Sequence, residues 1–276
     1  MTVTIYNPRH KLIDDLGMVL WMPRSPIAPN LAKPDIYAQN AQQLYPLGSK
    51  LEFADGRVFR YARWGETATT PTIARLVCNG NLVPGSAATN GYEGSLDATS
   101  DVAIGSTTLV LNDTTDRVEN WYEDGMLATF PSGHYVEYRI AGSEAATSVD
   151  DVTIYLDDPN GLQTLHVVNS TGVTAYPSIF SNVQYMPTTN SEYDSAVGMI
   201  LADTMTSAYY GWVQRKGRCI VTPTAYFGDS ANERMAQMHS DGTIALKAAD
   251  ATHTVGYLTQ KTVSGYGDLE IWLTLE

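Results

Sequence analysis

Short runs of alternating apolar and polar side chains recur along this 276-residue sequence. A period of two puts successive side chains on opposite faces of a half-buried strand. Arg57–Ala62, Thr107–Leu111, His134–Ile140 and Val152–Leu156 have this pattern, and so do Ala208–Gln214, Arg218–Thr222, Thr243–Lys247, His253–Leu258 and Leu269–Leu275. Turn-forming residues separate them: Asp55-Gly56 precedes the first run, and Asp157-Asp-Pro-Asn-Gly161 closes the fourth. Such pairs favour the backbone conformations of tight turns. A Gly-, Ser-, Ala- and Glu-containing stretch at 141–149 predicts a hairpin with a mobile tip. One short helix is expected where Ser230-Ala-Asn-Glu233 has the form of a capping box ahead of Met235 and Met238. Many short strands at this spacing predict an all-β chain built of β-sandwich or β-barrel subdomains.

The first 45 residues differ. Six of the 13 prolines fall by position 46, and Pro23-Arg-Ser-Pro-Ile-Ala-Pro29 excludes a regular helix or a central strand. An extended N-terminal arm is the consequence. It carries Leu20, Trp21, Met22, Ile27, Leu31 and Tyr37, with Arg24 among them. Ordering about 30 residues costs roughly 1–2 kcal/mol each in backbone entropy. These apolar anchors must therefore find a groove, on the chain's own body or on a partner, and a neighbouring subunit or a large assembly is the expected site. The organisation read from the sequence is an arm over 1–45, a first β domain over 46–168, a seam over 169–196 and a second β domain over 197–276.

Composition agrees with β structure, with 17 Tyr, 22 Gly and only 17% charged residues. The formal charge of −13 is uneven: residues 1–75 carry 9 Lys/Arg against 6 Asp/Glu, and residues 76–276 carry 8 against 24. An acidic body of this kind repels nucleic acid, which leaves the arm as the part suited to an acidic surface. Arg215-Lys-Gly-Arg218 is the one basic cluster of the body and reads as a hairpin tip. Cys78 and Cys219 stand too far apart in sequence for a CxxC redox or zinc motif and are expected to be buried, reduced thiols. No apolar run has the length of a signal peptide or a membrane span, so a soluble product made in a cytoplasm, with no membrane partner, is expected.

A search for chemistry returns little. Gly228-Asp229-Ser230 superficially resembles the opening of the Gly-Asp-Ser esterases, but it falls late in the chain among strand patterns, and Ser230 is explained as a helix cap. His10, His134, His166, His239 and His253 lack metal-binding spacing. Asp150-Asp151 and Asp157-Asp158 lack the alternation of a calcium loop. Gly265-Tyr-Gly267 leads into a strand pattern and is no phosphate cradle. The expectation is a protein that is not an enzyme and uses no cofactor or metal.

Two segments carry a resemblance. Tyr45-Pro-Leu-Gly-Ser-Lys-Leu-Glu-Phe-Ala-Asp-Gly-Arg-Val-Phe-Arg-Tyr-Ala62 is similar to the opening of the capsid decoration, or cement, proteins of tailed bacteriophages. Tyr210-Gly-Trp-Val-Gln-Arg-Lys-Gly-Arg-Cys-Ile-Val221 is similar to a strand pair of the same family. Between them, Val118–Leu127 and His134–Ile140 resemble its linking phrases, while residues 1–44 lie outside the resemblance. The residues concerned are structural: Asp55 and Gly56 make a turn, Phe59 and Tyr61 share a strand face, and Trp212 and Gln214 share another, where a buried amide would set register. The resemblance implies a virion protein on the outer capsid surface, assembled in the host cytoplasm. Its partners would be the major capsid protein and copies of itself, with a homotrimer expected. The competing reading is a receptor- or glycan-binding fibre or spike module.

Overall fold

The computed structural model describes residues 10–13, 18–22, 33–65, 67, 74–80, 98–112, 116–131, 135–147, 151–185, 195–224, 227–228, 233–239, 241–247, 254–260 and 269–276. All of the regular structure there is antiparallel β, with no helix among the described residues. The chain divides into two compact units: unit 1 comprises Met1–Val83 and Asn182–Glu276, and unit 2 is Pro84–Ser181.

Unit 1 contains β1 (His10–Ile13), β2 (Val19–Met22), β3 (Lys50–Glu52), β4 (Val58–Arg63) and β5 (Leu76–Asn79). Unit 2 contributes β6 (Thr108–Leu111), β7 (Met126–Phe130), β8 (Val136–Ser143), β9 (Val152–Leu156) and β10 (Gly172–Tyr176). Unit 1 resumes with β11 (Val183–Tyr185), β12 (Ala196–Ile200), β13 (Tyr210–Val221), β14 (Met235–Met238), β15 (Ile244–Leu246), β16 (Thr254–Gln260) and β17 (Leu269–Thr274).

The long strand β13 organises unit 1. Its first half pairs with β4 and its second half with β17, while β12 meets it at Val213 and Gln214. From β17 the order runs through β16 and β14 to β15. The sheet then curls back, because the Ile244 amide donates to the Thr222 carbonyl at 3.0 Å and the Thr224 amide to the Ile244 carbonyl at 2.8 Å. Inside the curl pack Cys219, Val221, Phe227, Ala236, Ile244, Val255, Leu269, Ile271 and Leu273. Cys219 and Val221 on β13 and Leu269, Ile271 and Leu273 on β17 are alternate positions, so along these two strands the period-two pattern read from the sequence is the pattern of burial.

Unit 2 is a separate five-stranded sheet in the order β10-β7-β8-β9-β6. Its own core includes Leu109, Tyr122, Leu127, Tyr138, Ile140, Ile154 and Val173.

Four differences from the sequence reading have physical causes. Strands β3–β5 and β12–β17 share one sheet, and the compact units divide at 83/84 and 181/182, whereas the sequence reading set its seam at 169–196; alternation marks a strand but does not name its partner. Met235 and Met238 lie on β14, not on a helix, and the Glu233 carboxylate accepts the Gly228 amide at 2.9 Å; Asp229 and Ser230 lie outside the described residues. Arg215–Arg218 is not a hairpin tip but the interior of β13. Finally, part of the arm is a strand: β2 pairs with β3 in the register Leu20↔Leu51, which buries Leu20 and Met22 in the chain's own sheet.

Candidate partner-binding surface

The segments that carry the family resemblance meet in space. β4 and β13 pair with Tyr61 opposite Trp212 and Phe59 opposite Gln214. The Trp212 ring lies 5.1 Å from that of Tyr61 and 5.3 Å from that of Tyr45, and Tyr45 and Tyr61 are 5.1 Å apart, edge to face. All three are buried. The Tyr61 hydroxyl accepts the Leu44 amide at 3.2 Å. Burial pushes the Tyr45 phenol up to about 12 and raises that of Tyr61 as well. A phenol whose folded value lies above its unfolded one favours the neutral folded state. Its contribution is complete below the ordinary value of 10.0 and is lost as pH rises from there through the folded value. Unit 1 is accordingly expected to lose stability progressively above pH 10, measured as a falling urea midpoint; a midpoint unchanged up to pH 12 would contradict this burial.

At Asp55-Gly56 the chain turns tightly. Gly56 adopts φ +86°, a region costly for residues with a Cβ. The Asp55 carboxylate accepts the Arg57 amide at 3.0 Å. Its pKa is pushed up by partial burial, but the hydrogen bonds and charge of Arg57 outweigh this and leave it below the ordinary value.

Beyond Trp212, the register of β13 against β4 slips between Gln214 and Lys216, leaving Arg215 as the extra residue of a bulge. The Gln214 amide is 1% exposed and donates to the carbonyls of Lys216 at 3.1 Å and Arg218 at 2.9 Å. A bulge disrupts the local ladder, and here the side-chain amide bonds the backbone carbonyls that follow it. Gly217 follows at φ +94°, where a Cβ would stand 2.8 Å from the Arg57 backbone. Of the basic cluster, Arg215 is absorbed into structure, while Lys216 and Arg218 stay exposed. Arg215 donates to the carbonyls of Val197 at 2.7 Å and Leu275 at 2.6 Å. Glu276 gathers Arg60 (Nε at 2.9 Å), Arg215 at 3.6 Å and Lys50 at 3.8 Å.

Among the arm residues, Leu20 and Met22 are buried. The indole of half-buried Trp21 donates to Glu52 at 3.0 Å, and Tyr37 is exposed. Arg24, Ile27 and Leu31 lie outside the described residues. Of the four anchors among the described residues, Tyr37 is the exposed one.

A different surface appears on the outer face of the curled sheet. Cross-strand register aligns Arg218 with Trp272, Trp272 with Tyr257, and Tyr257 with Met235, one row across β13, β17, β16 and β14. Tyr257 is 41% exposed and Met235 44%, and the Arg218 side chain 67%. The next row holds Ile220, 56% exposed, opposite Glu270. The Glu270 carboxylate accepts the Thr259 hydroxyl at 2.8 Å and pairs with Arg218; these partners hold its pKa below the usual range, the hydroxyl foremost. Sequence reading missed this face. Its signal was a tryptophan at a solvent-side position of Leu269–Leu275, but only register could place Tyr257 and Met235 beside it.

Unit 2 also exposes apolar side chains on its sheet. Met126 stands opposite Tyr176, and the Phe130 ring lies 6.5 Å from that of Tyr135. The two units differ in charge. Unit 2 holds 14 Asp/Glu and 2 Lys/Arg, a net −12, whereas unit 1 holds 16 and 15, a net −1. Both unit 2 cations are engaged internally. Arg139 pairs with the fully buried carboxylate of Asp124 at 2.7 Å and with Asp157 at 3.7 Å. Arg117 is buried over the rings of Trp121 and Tyr122.

Among the described residues no group of three or more His, Cys, Asp or Glu is placed to hold a metal ion. His239 and Asp241 approach to 3.1 Å, but the same Asp241 oxygen accepts the Thr243 amide at 3.0 Å, which makes the group a lock on the β14–β15 turn. Cys78 and Cys219 are both buried, and burial pushes the Cys219 thiol up to about 12. No family model matches this sequence, and neither a curated protein nor a solved structure is found to be similar to it.

Proposed function

We propose that this chain is a structural protein of a tailed-phage virion, one that attaches to the outer surface of the capsid and reinforces contacts between major capsid subunits. The observation that carries the reading is the in-register meeting of Tyr45–Ala62 with Tyr210–Val221. These two segments, distant in sequence, are the ones that resemble decoration proteins, and together they make one aromatic core around a Gln-capped bulge. Residues that recur as phrases for the sake of packing should meet in this way. The row of half-buried Trp272 with exposed Tyr257 and Met235 adds a surface of the kind that interfaces bury: aromatic and Met side chains with an Arg at the edge.

The test is co-sedimentation with purified heads of the phage that encodes the chain. The double variant Tyr257→Thr/Met235→Thr is expected to reduce attachment at least about tenfold, with an unchanged circular dichroism spectrum. Full attachment by this variant would remove the row from the interface, and failure of the native chain to attach at all would remove the capsid reading. A second reading, saccharide binding, is favoured by one feature: planar rings stand beside the Arg218, Glu270 and Thr259 hydrogen-bonding groups. It predicts that oligosaccharides raise the melting temperature of the native chain and not that of the double variant.

A further inference from the structure

Unit 2 enters and leaves unit 1 at one place. β5 and β11 pair antiparallel, Val77↔Tyr185, Cys78↔Gln184 and Asn79↔Val183, and the Gly80 amide donates to the Asn182 carbonyl at 2.8 Å. The hairpin is thus already formed when the chain departs, and unit 2 occupies the position of its loop. β5 is held on its other side by β12. Two hydrophobic clusters among the described residues respect the same division, one built from residues 98–175 alone and the other from unit 1 alone. A segment of about 100 residues with its own core, flanked by two strands that pair with each other, has the anatomy of an inserted domain. Its charge sets it apart as well, at −12 against −1 for unit 1, with both of its arginines engaged internally.

We infer that Pro84–Ser181 is a self-contained acidic module set into a hairpin of a near-neutral carrier, and that the carrier alone makes the attachment. Twelve uncompensated charges have two consequences. They destabilise the module by self-repulsion, which salt screens. They also oppose any packing of one copy's module against another's in a symmetric array, where like surfaces are brought together. Unit 1 has no such opposition and carries exposed Tyr257 and Met235 beside Trp272. The second half of this inference rests on the attachment reading above; the first half does not.

Calorimetry of the intact chain tests autonomy. Two transitions are expected, and raising NaCl from 20 to 500 mM should move one upward by several degrees while the other, belonging to unit 1, stays within a degree. A single cooperative transition, or two that respond alike to salt, overturns the module. A second variant joins Gly80 to Asn182 through Asn-Gly, a pair suited to a two-residue hairpin. It should retain the salt-insensitive transition and sediment with heads at native occupancy. If the variant does not fold, the module is not separable. A folded variant that fails to attach where the native chain succeeds places the attachment in unit 2 and overturns the inference. If the native chain itself does not attach, the capsid reading has failed, and the calorimetry still decides the module.

Discussion

Replacing Trp212 with alanine is expected to destabilise unit 1 by about 3–5 kcal/mol, the usual cost of emptying a buried aromatic site. The indole is 2% exposed and contacts two further buried rings, those of Tyr45 and Tyr61. Aromatic pairs of this geometry contribute roughly 0.5–1.5 kcal/mol beyond the area they bury. The three rings are drawn from residues 45, 61 and 212, so the site cannot collapse without moving β4 against β13. A domain of ordinary stability, about 5–15 kcal/mol, would be left marginal. Urea denaturation followed by near-ultraviolet circular dichroism measures the loss. Tyr135→Ala, at a position 62% exposed, serves as the control and should change stability by less than about 0.5 kcal/mol. A loss below about 1.5 kcal/mol for Trp212→Ala would show that the cluster is not the keystone of the sheet.

Gln214→Leu is the second large effect. Leucine keeps most of the volume and removes the donor, leaving the Lys216 and Arg218 carbonyls without the amide that now serves both. Both bonds are part-buried and their acceptors lie on exposed residues, so each contributes about 0.5–1.5 kcal/mol and a loss of roughly 1–3 kcal/mol is expected from the pair. Because Gln214 sits where β13 passes from β4 to β17, the damage should also appear as faster amide exchange at both neighbours. Exchange accelerated everywhere in unit 1 alike would mean that the glutamine acts on global stability and not on the bulge. Gln214→Glu separates shape from hydrogen bonding, since a carboxylate fills the same space and cannot donate to a carbonyl when ionised.

Much of the strand content was legible because alternation is a local property. Val152–Leu156 was found to the residue, and Leu269–Leu275 and Thr243–Lys247 to within one residue at each end. The Asp55-Gly56 turn was readable for the same reason, since only the identities of adjacent residues decide it. The expected helix shows the limit of local reading. Ser230–Glu233 has the letters of a cap, yet Met235 and Met238 are strand residues because Ala236 fills the curled sheet between β15 and β16. Arg215–Arg218 misled in the opposite sense. Two glycine-flanked charges suggest a tip, whereas a buried amide and a positive-φ glycine carry the strand straight through.

For the surface, the sequence reading turned to the arm for a physical reason. Leu20 and Met22 announce themselves by hydrophobicity, and hydrophobicity alone does not distinguish a chain's own groove from a partner's. Trp272, Tyr257 and Met235 stand in different strands with unremarkable neighbours, and they become one row only through register. The charge division followed the same rule: cut at residue 75 the sequence reads +3 and −16, while the folded units carry −1 and −12.

From the amino-acid order alone came the strand class, the tight turn, the Pro-rich start and the acidic balance, all set by side chains acting on their immediate neighbours. Which strands pair, that Pro84–Ser181 is an insertion, and which exposed residues share a face were decided by the tertiary structure. Pairing energy comes from contacts between residues far apart in the chain, and nothing in a local pattern records which distant strand will supply them.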